Sequence, residues 1–187
     1  MGDIGDNRHE RSEISIYRVK EPMIDFSQSI ESITSNWQSY ALKYSDNQRY
    51  NAESMLIDAK TRELLIITKG KLPPYAKVFK TQLDTKPETV GILEDTDIRL
   101  TLPEATDASA SADGQVVMIR LYVGDFLWPR RPRPEHYKMV DILREEECLT
   151  SVGMQRQGES VALNPLGVKY FTHSEFVNQS IWEYAIL

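Results

Sequence analysis

Ala52-Glu53-Ser54, Ala105-Thr106-Asp107 and Gly158-Glu159-Ser160 open three segments of one layout, each 53 residues after the last. A short run follows each triplet, then a polar turn (Asp58-Ala59-Lys60-Thr61-Arg62, Ala112-Asp113-Gly114, Asn164-Pro165-Leu166-Gly167), then a second apolar run. A unit of this kind cannot bury its apolar face alone, so its neighbours must stack on it. Radially stacked sheets make a β-propeller. The chain is therefore expected to be all-β, with about three four-stranded blades in one partial propeller domain over residues 1–187 and repeats beginning near 52, 105 and 158.

Working outward from the triplets, β-branched and aromatic residues fall into short runs between Gly, Pro, Asn and Asp. Ile14–Val19, Tyr75–Thr81, Phe126–Trp128 and Ile181–Ala185 fill the third-strand slot, and Thr89–Leu93 and Tyr137–Leu143 the fourth. Residues 23–40, with Ile24, Ile30, Ile33 and Trp37 widely spaced, read as a connecting excursion. On this count the chain enters at the end of a second strand, without its inner partner, and stops just after a third. That is about half of a six-bladed ring. An open ring exposes strand edges and apolar faces, which proteins cover by pairing, so a homodimer or another propeller half is the expected partner.

A content of 41% apolar and 27% charged residues describes an ordinary globular chain. The net charge of −6 argues against a nucleic acid or an anionic membrane as partner, because both demand accumulated positive charge. The one basic cluster, Arg130-Arg131-Pro132-Arg133-Pro134, reads as a stiff solvated loop. Cys148 is the single cysteine, so no intrachain disulfide forms, and its acidic neighbours Glu145, Glu146 and Glu147 disfavour a thiolate nucleophile. No apolar run approaches the ~20 residues of a membrane span. The opening residues lack the basic and apolar regions of an export signal, and the sequon Asn178-Gln179-Ser180 has meaning only in a secreted protein.

Gly2-Asp3-Ile4-Gly5-Asp6-Asn7-Arg8, followed by Arg11, Ile16-Tyr17-Arg18-Val19 and Glu21-Pro22, resembles the signature of a family of uncharacterised six-bladed β-propellers found largely in secreted bacterial proteins. Asn51-Ala52-Glu53, Ile67-Thr68-Lys69 and Asp113-Gly114 with Arg120-Leu121-Tyr122 continue the likeness in order. The resemblance implies that this chain corresponds to the C-terminal half of such a ring. In layout the family is similar to phytase-like and other ligand-binding propellers, but likeness of fold does not transfer chemistry.

Antiparallel strands joined by a tight turn bring their outer ends together. Glu53 is therefore expected beside Lys69, Asp107 beside Arg120 and Glu159 beside His173, all near one mouth of the central channel, with Asp3, Asp6 and Asn7 close by. Two readings remain open. These groups are ion pairs and turn caps that tie blades together, or they form a convergent polar site. As a site, the oxygens of Asp3, Asp6, Asn7, Asn51, Glu53, Asp107 and Glu159 are hard donors suited to calcium, while Lys69, Arg120 and His173 suit an anionic ligand. His9 and His136 lie in polar contexts and are expected to be exposed. The expected function is a binding or scaffold module with a polar, calcium-accepting channel mouth and self-association through its edges. The alternative is a calcium-assisted hydrolase of the phytase-like or lactonase-like propeller kind, with His173 as general base beside Glu159.

Overall fold

The computed structural model describes residues 1–20, 27, 37–70, 75–83, 89–101, 104–122, 124–150, 155 and 157–186. Its strands form four successive meanders. The first blade holds β1 (Gly2–Asp3), β2 (Ile14–Val19) and β3 (Trp37–Tyr44), and the second β4 (Ala52–Ile57), β5 (Glu63–Thr68), β6 (Ala76–Gln82) and β7 (Gly91–Leu100). The third holds β8 (Ala105–Ala110), β9 (Val117–Leu121), β10 (Gly124–Trp128) and β11 (Cys148–Thr150), and the fourth β12 (Gly158–Leu163), β13 (Lys169–Ser174) and β14 (Trp182–Ala185). Consecutive strands within each blade pair antiparallel. The all-β blade architecture read from the repeat is the architecture observed.

The 53-residue period holds to the single residue. The inner hairpins open with Ala52 opposite Thr68, Ala105 opposite Leu121 and Gly158 opposite Ser174. In all three the ladder then slips by one position, leaving Glu53, Thr106 and Glu159 as the extra residue of a bulge. Successive inner strands lie side by side. The backbone links them: Ala105 N–H donates to Lys69 C=O at 3.0 Å, and Gly158 N–H to Tyr122 C=O at 3.2 Å, again 53 residues on.

Burial follows from this stacking. Second strands lie inside a blade with a neighbouring blade on each face, so β5 and β9 are buried at every residue and are mostly apolar, with Arg120 the one charged residue inside β9. Each interface between blades is one hydrophobic cluster. Ile14, Ile16 and Leu42 meet Leu64, Ile66 and Phe79 between the first and second blades. Leu65, Ile67 and Val78 meet Val117, Ile119 and Trp128 between the second and third. Met118 and Leu127 meet Val161 and Tyr170 between the third and fourth. Beyond this, β3 and β7 pair in parallel at Leu42↔Gly91, Lys43↔Ile92 and Tyr44↔Leu93, which joins the outer edges of the first two blades into a seven-stranded sheet.

Four expectations need correction. Tyr137–Leu143 is not a strand: Met139–Ile142 is a turn of helix, and Cys148–Thr150 is the fourth strand of its blade. Met139, Val140, Ile142 and Leu143 are spaced for one helical face and sink into the cluster between the second and third blades. Asp141 closes the turn by accepting the Lys138 N–H at 3.1 Å, and Asp58 anchors it by accepting the Met139 N–H at 3.0 Å. Residues 37–40 belong to β3, whose Tyr40, Leu42 and Tyr44 alternate into the core; of the rest of the supposed excursion, only Ser27 lies within the described residues. Thr89–Leu93 marks the start of β7, a longer strand whose later half is hidden by its exposed charged face. The arginine loop is not wholly solvated, because Arg133 is buried and forks onto both oxygens of Glu145 at 2.7 and 2.8 Å. His9 and His136 are exposed, as expected, and so is the free thiol of Cys148.

Candidate functional site

The bulges place a polar residue near the start of each inner strand, the end where the channel mouth was expected. A bulged residue leaves the in-and-out alternation of its strand, so its side chain is freed from the packing between blades. Glu53 uses that freedom to take both of its oxygens to Lys69 Nζ, at 2.7 and 2.8 Å. The same ammonium donates to the Tyr122 hydroxyl at 2.7 Å and lies 4.7 Å from the centre of that ring. Tyr122 is the third blade's counterpart of Lys69. Burial would lower the lysine pKa, but the bonds to Glu53 and Tyr122 outweigh it and hold the pKa above its ordinary value. Glu159, the fourth blade's counterpart of Glu53, faces the same group. Its pKa is raised, chiefly by burial and then by the charge of Glu53, with Lys69 pulling the other way. Three blades thus converge on Glu53, Lys69, Tyr122 and Glu159, and the carboxylate of Glu159 bonds no partner among the described residues.

Glu53 also borders a cleft of about 480 Å³ between β1, β4 and β8. Small residues, Gly5, Ala52 and Ala108, open it, Ile4 and Met55 give it an apolar wall, and Asp107 adds a second carboxylate. Asp107 accepts the N–H of Ala108 and, across the blade boundary, that of Val161, both at 2.8 Å. Its pKa is nevertheless raised, because burial outweighs both bonds.

The other expected groups are placed as follows. Arg120 lies opposite Asp107 in the ladder but turns away from the mouth: fully buried, it pairs with Asp125 at 2.7 Å and donates to Gln155. Low dielectric and the absence of water leave an arginine there no stable alternative to a carboxylate, and Asp125, two strands from the channel, supplies it. The signal that marks this pair in the sequence is Gly158, whose counterparts are Ala52 and Ala105. His173 is half-buried on the far face of the fourth blade, opposite Ser160. Asp3 forks onto Arg11 at 2.6 and 3.0 Å, and that bond above all holds its pKa below the ordinary value. Asp6 accepts the backbone N–H of Glu10 and of Arg11 at 3.0 and 2.9 Å. Asn51 joins the string to β4, accepting the Asp6 N–H at 2.7 Å and donating to Asn7 Oδ1 at 2.9 Å. The seven oxygen-bearing residues are thus mostly engaged as caps and ion pairs, and among the described residues no three of His, Cys, Asp and Glu are grouped to hold a metal.

No protein-family model matches the chain, and no curated protein matches it. Among solved structures, a chain of the nidogen/laminin complex superposes with a TM-score of 0.56 at 8% identity, over 93% of this chain and 54% of that one. A protein of Bacteroides uniformis proposed as a 6-phosphogluconolactonase reaches 0.48 at 7% identity, over 98% of this chain and 52% of that one, a likeness too slight to carry an argument. The chain spans about half the length of both. With the first of these, the stacked blades identify the fold as that of a β-propeller.

Proposed function

We propose that this chain is a β-propeller binding module that takes a cation at its channel mouth and associates through its open blade faces. The carrying observation is the imbalance at the mouth: Glu53 and Glu159 stand on equivalent bulges, the one ammonium there, Lys69, bonds Glu53, and burial and the charge of Glu53 raise the pKa of Glu159. A cation arriving there relieves that repulsion, and the cleft beside Glu53 gives it room. The cation is a metal ion such as calcium or an organic ammonium or guanidinium group, and titration separates the two.

Calcium chloride and butylammonium chloride are added separately while the Glu159 carboxyl carbon is followed by NMR. A saturable shift with one of them, absent in Glu159→Gln, supports the reading and names the source. No saturable shift with either at millimolar concentration rejects it. Hydrolysis of a phosphate ester or lactone, dependent on calcium and lost in the same variant, extends the reading to catalysis.

A further inference from the structure

The interior blades share a two-sided scheme. The second blade presents Ser54, Leu56, Leu65 and Ile67 forward, and the third presents Asp107, Ser109, Met118 and Arg120; within each set the residues are cross-strand partners on one face. Ser54, Leu65, Ile67, Met118 and Arg120 are 0% exposed because the following blade covers them. Side chains of this face also bond the next inner strand: Asp107 accepts the Val161 N–H and Ser109 Oγ the Leu163 N–H, at 2.8 and 2.9 Å.

The 53-residue register carries the forward face to Ser160, Ala162, Phe171 and His173 in the fourth blade, paired as Ser160↔His173 and Ala162↔Phe171. Here Ser160 and Ala162 are exposed, and Phe171 and His173 only half-buried. Glu175 stands where Lys69 and Tyr122 stand in the earlier blades, whose carbonyls accept the N–H of the next inner strand.

The backward faces that receive such a surface are apolar and aromatic: Ile66 and Phe79 in the second blade, Ile119 and Trp128 in the third, Val161 and Tyr170 in the fourth. In the first blade the backward face is the pairs Ser15↔Ala41, Tyr17↔Ser39 and Val19↔Trp37. It keeps that character, with Tyr17 packed against Trp37 at 6.0 Å between ring centres, yet Trp37 is 56% exposed. Among the described residues, each chain therefore offers one open forward face and one open backward face.

We propose that a second copy of this chain docks head to tail, the forward face of each fourth blade meeting the backward face of the other chain's first blade, so that two chains close one ring. The inference rests on the association part of the reading above and assigns its surfaces. Continuity carries it: every forward face followed by a blade in this chain is covered by a backward face, and two copies leave none open.

The test is molar mass by light scattering across the micromolar range, for the full chain and four variants. The expected result is the mass of two chains for the parent and for Leu149→Glu, a change at an exposed residue of β11 outside both faces. Phe171→Glu, Ala162→Arg and Trp37→Glu each weaken the dimer at least about tenfold, as charge at the centre of an interface does. Ala162 and Trp37 are exposed in the single chain, so their variants fold even if Phe171→Glu does not. A parent that stays monomeric overturns both the inference and the association reading. A dimer indifferent to all three face variants overturns the inference alone, and masses that climb without limit overturn the closed ring.

Discussion

The guanidinium of Arg120 occupies the space in which a side chain on residue 158 would begin: a Cβ built on Gly158 stands 2.0 Å from Arg120 Nη2 and 2.2 Å from Nε. The counterparts of Gly158 are Ala52 and Ala105, and those of Arg120 are Ile67 and His173. One blade boundary has thus exchanged an Ile with an Ala neighbour for an Arg with a Gly neighbour, and Asp125 completes the exchange. Among the described residues, Arg120 Nε and Asp125 Oδ2 are buried without hydrogen-bond partners, so the pair carries uncompensated desolvation.

Gly158→Ala is accordingly expected to destabilise the chain by at least about 2 kcal/mol, an overpacking penalty at a rigid charged neighbour. Urea denaturation measures it. In an Arg120→Met/Asp125→Leu background the same change should lose most of its effect, and that background alone should fold about as stably as the parent. An equal penalty in both backgrounds would show that Arg120 is not what excludes the methyl group.

Lys69 joins the second and third blades through Glu53 and Tyr122, with only 12% of its side chain and 25% of that of Glu53 exposed. A double-mutant cycle of Lys69→Met with Tyr122→Phe should give a coupling energy of about 1 kcal/mol, read from chemical denaturation. Additive effects would mean that the contact contributes nothing across the blade boundary.

Asp58 sets an acid limit. Burial alone would raise its pKa, but the N–H groups of Met139, Lys60 and Thr61 outweigh burial and hold it below the ordinary aspartate value. A carboxyl group with a depressed folded pKa contributes stability that is present above its unfolded pKa and is lost as pH falls through the folded one. The parent should therefore lose stability below about pH 4. Asp58→Asn should start less stable at neutral pH and fall less steeply, which urea midpoints at successive pH values test.

Glu159 has the opposite sign. Its folded pKa is raised by burial and by Glu53, so the folded state holds its proton more tightly than the unfolded state. The associated stability is full below the unfolded pKa and is lost as pH rises through the folded one. Carboxyl NMR should find Glu159 titrating above the ordinary glutamate value, and Glu53→Gln should lower it. An unchanged Glu159 titration in that variant would separate the two carboxylates.

The period in the sequence located the first residues of the inner strands, Ala52, Ala105 and Gly158, and the run of β-branched and aromatic residues located Ile14–Val19, because strands that pack on both faces cannot vary in length without losing their neighbours. It also placed Glu53 beside Lys69, a pairing fixed by one hairpin. It did not reach contacts that cross blades. Arg120 was expected beside Asp107, its cross-strand partner, yet it pairs with Asp125, because a buried guanidinium follows the carboxylate that shares its burial and not the ladder. The helix at Met139–Ile142 was read as a strand because a single four-residue turn is too short to show a decisive period, and Asp58, 81 residues from Met139, is what anchors it. Tyr122 went unread for the same reason: its role depends on a lysine in another blade.

The recurring bulge bears on how this chain can change. Position 53 and its two counterparts carry Glu, Thr and Glu, while the residues just before them are Ala, Ala and Gly, and the ladder around all three is the same. Each bulge lifts one residue out of the hydrogen-bond ladder, but the three side chains are not equally free: Thr106 is buried and donates across the blade boundary to the Gly158 C=O at 2.8 Å, whereas Glu53 and Glu159 are only partly buried. Of the three equivalent positions, 106 is therefore tied to the seam between the third and fourth blades, and change in what the chain binds is expected to fall on 53 and 159, with 159 the freer of the two.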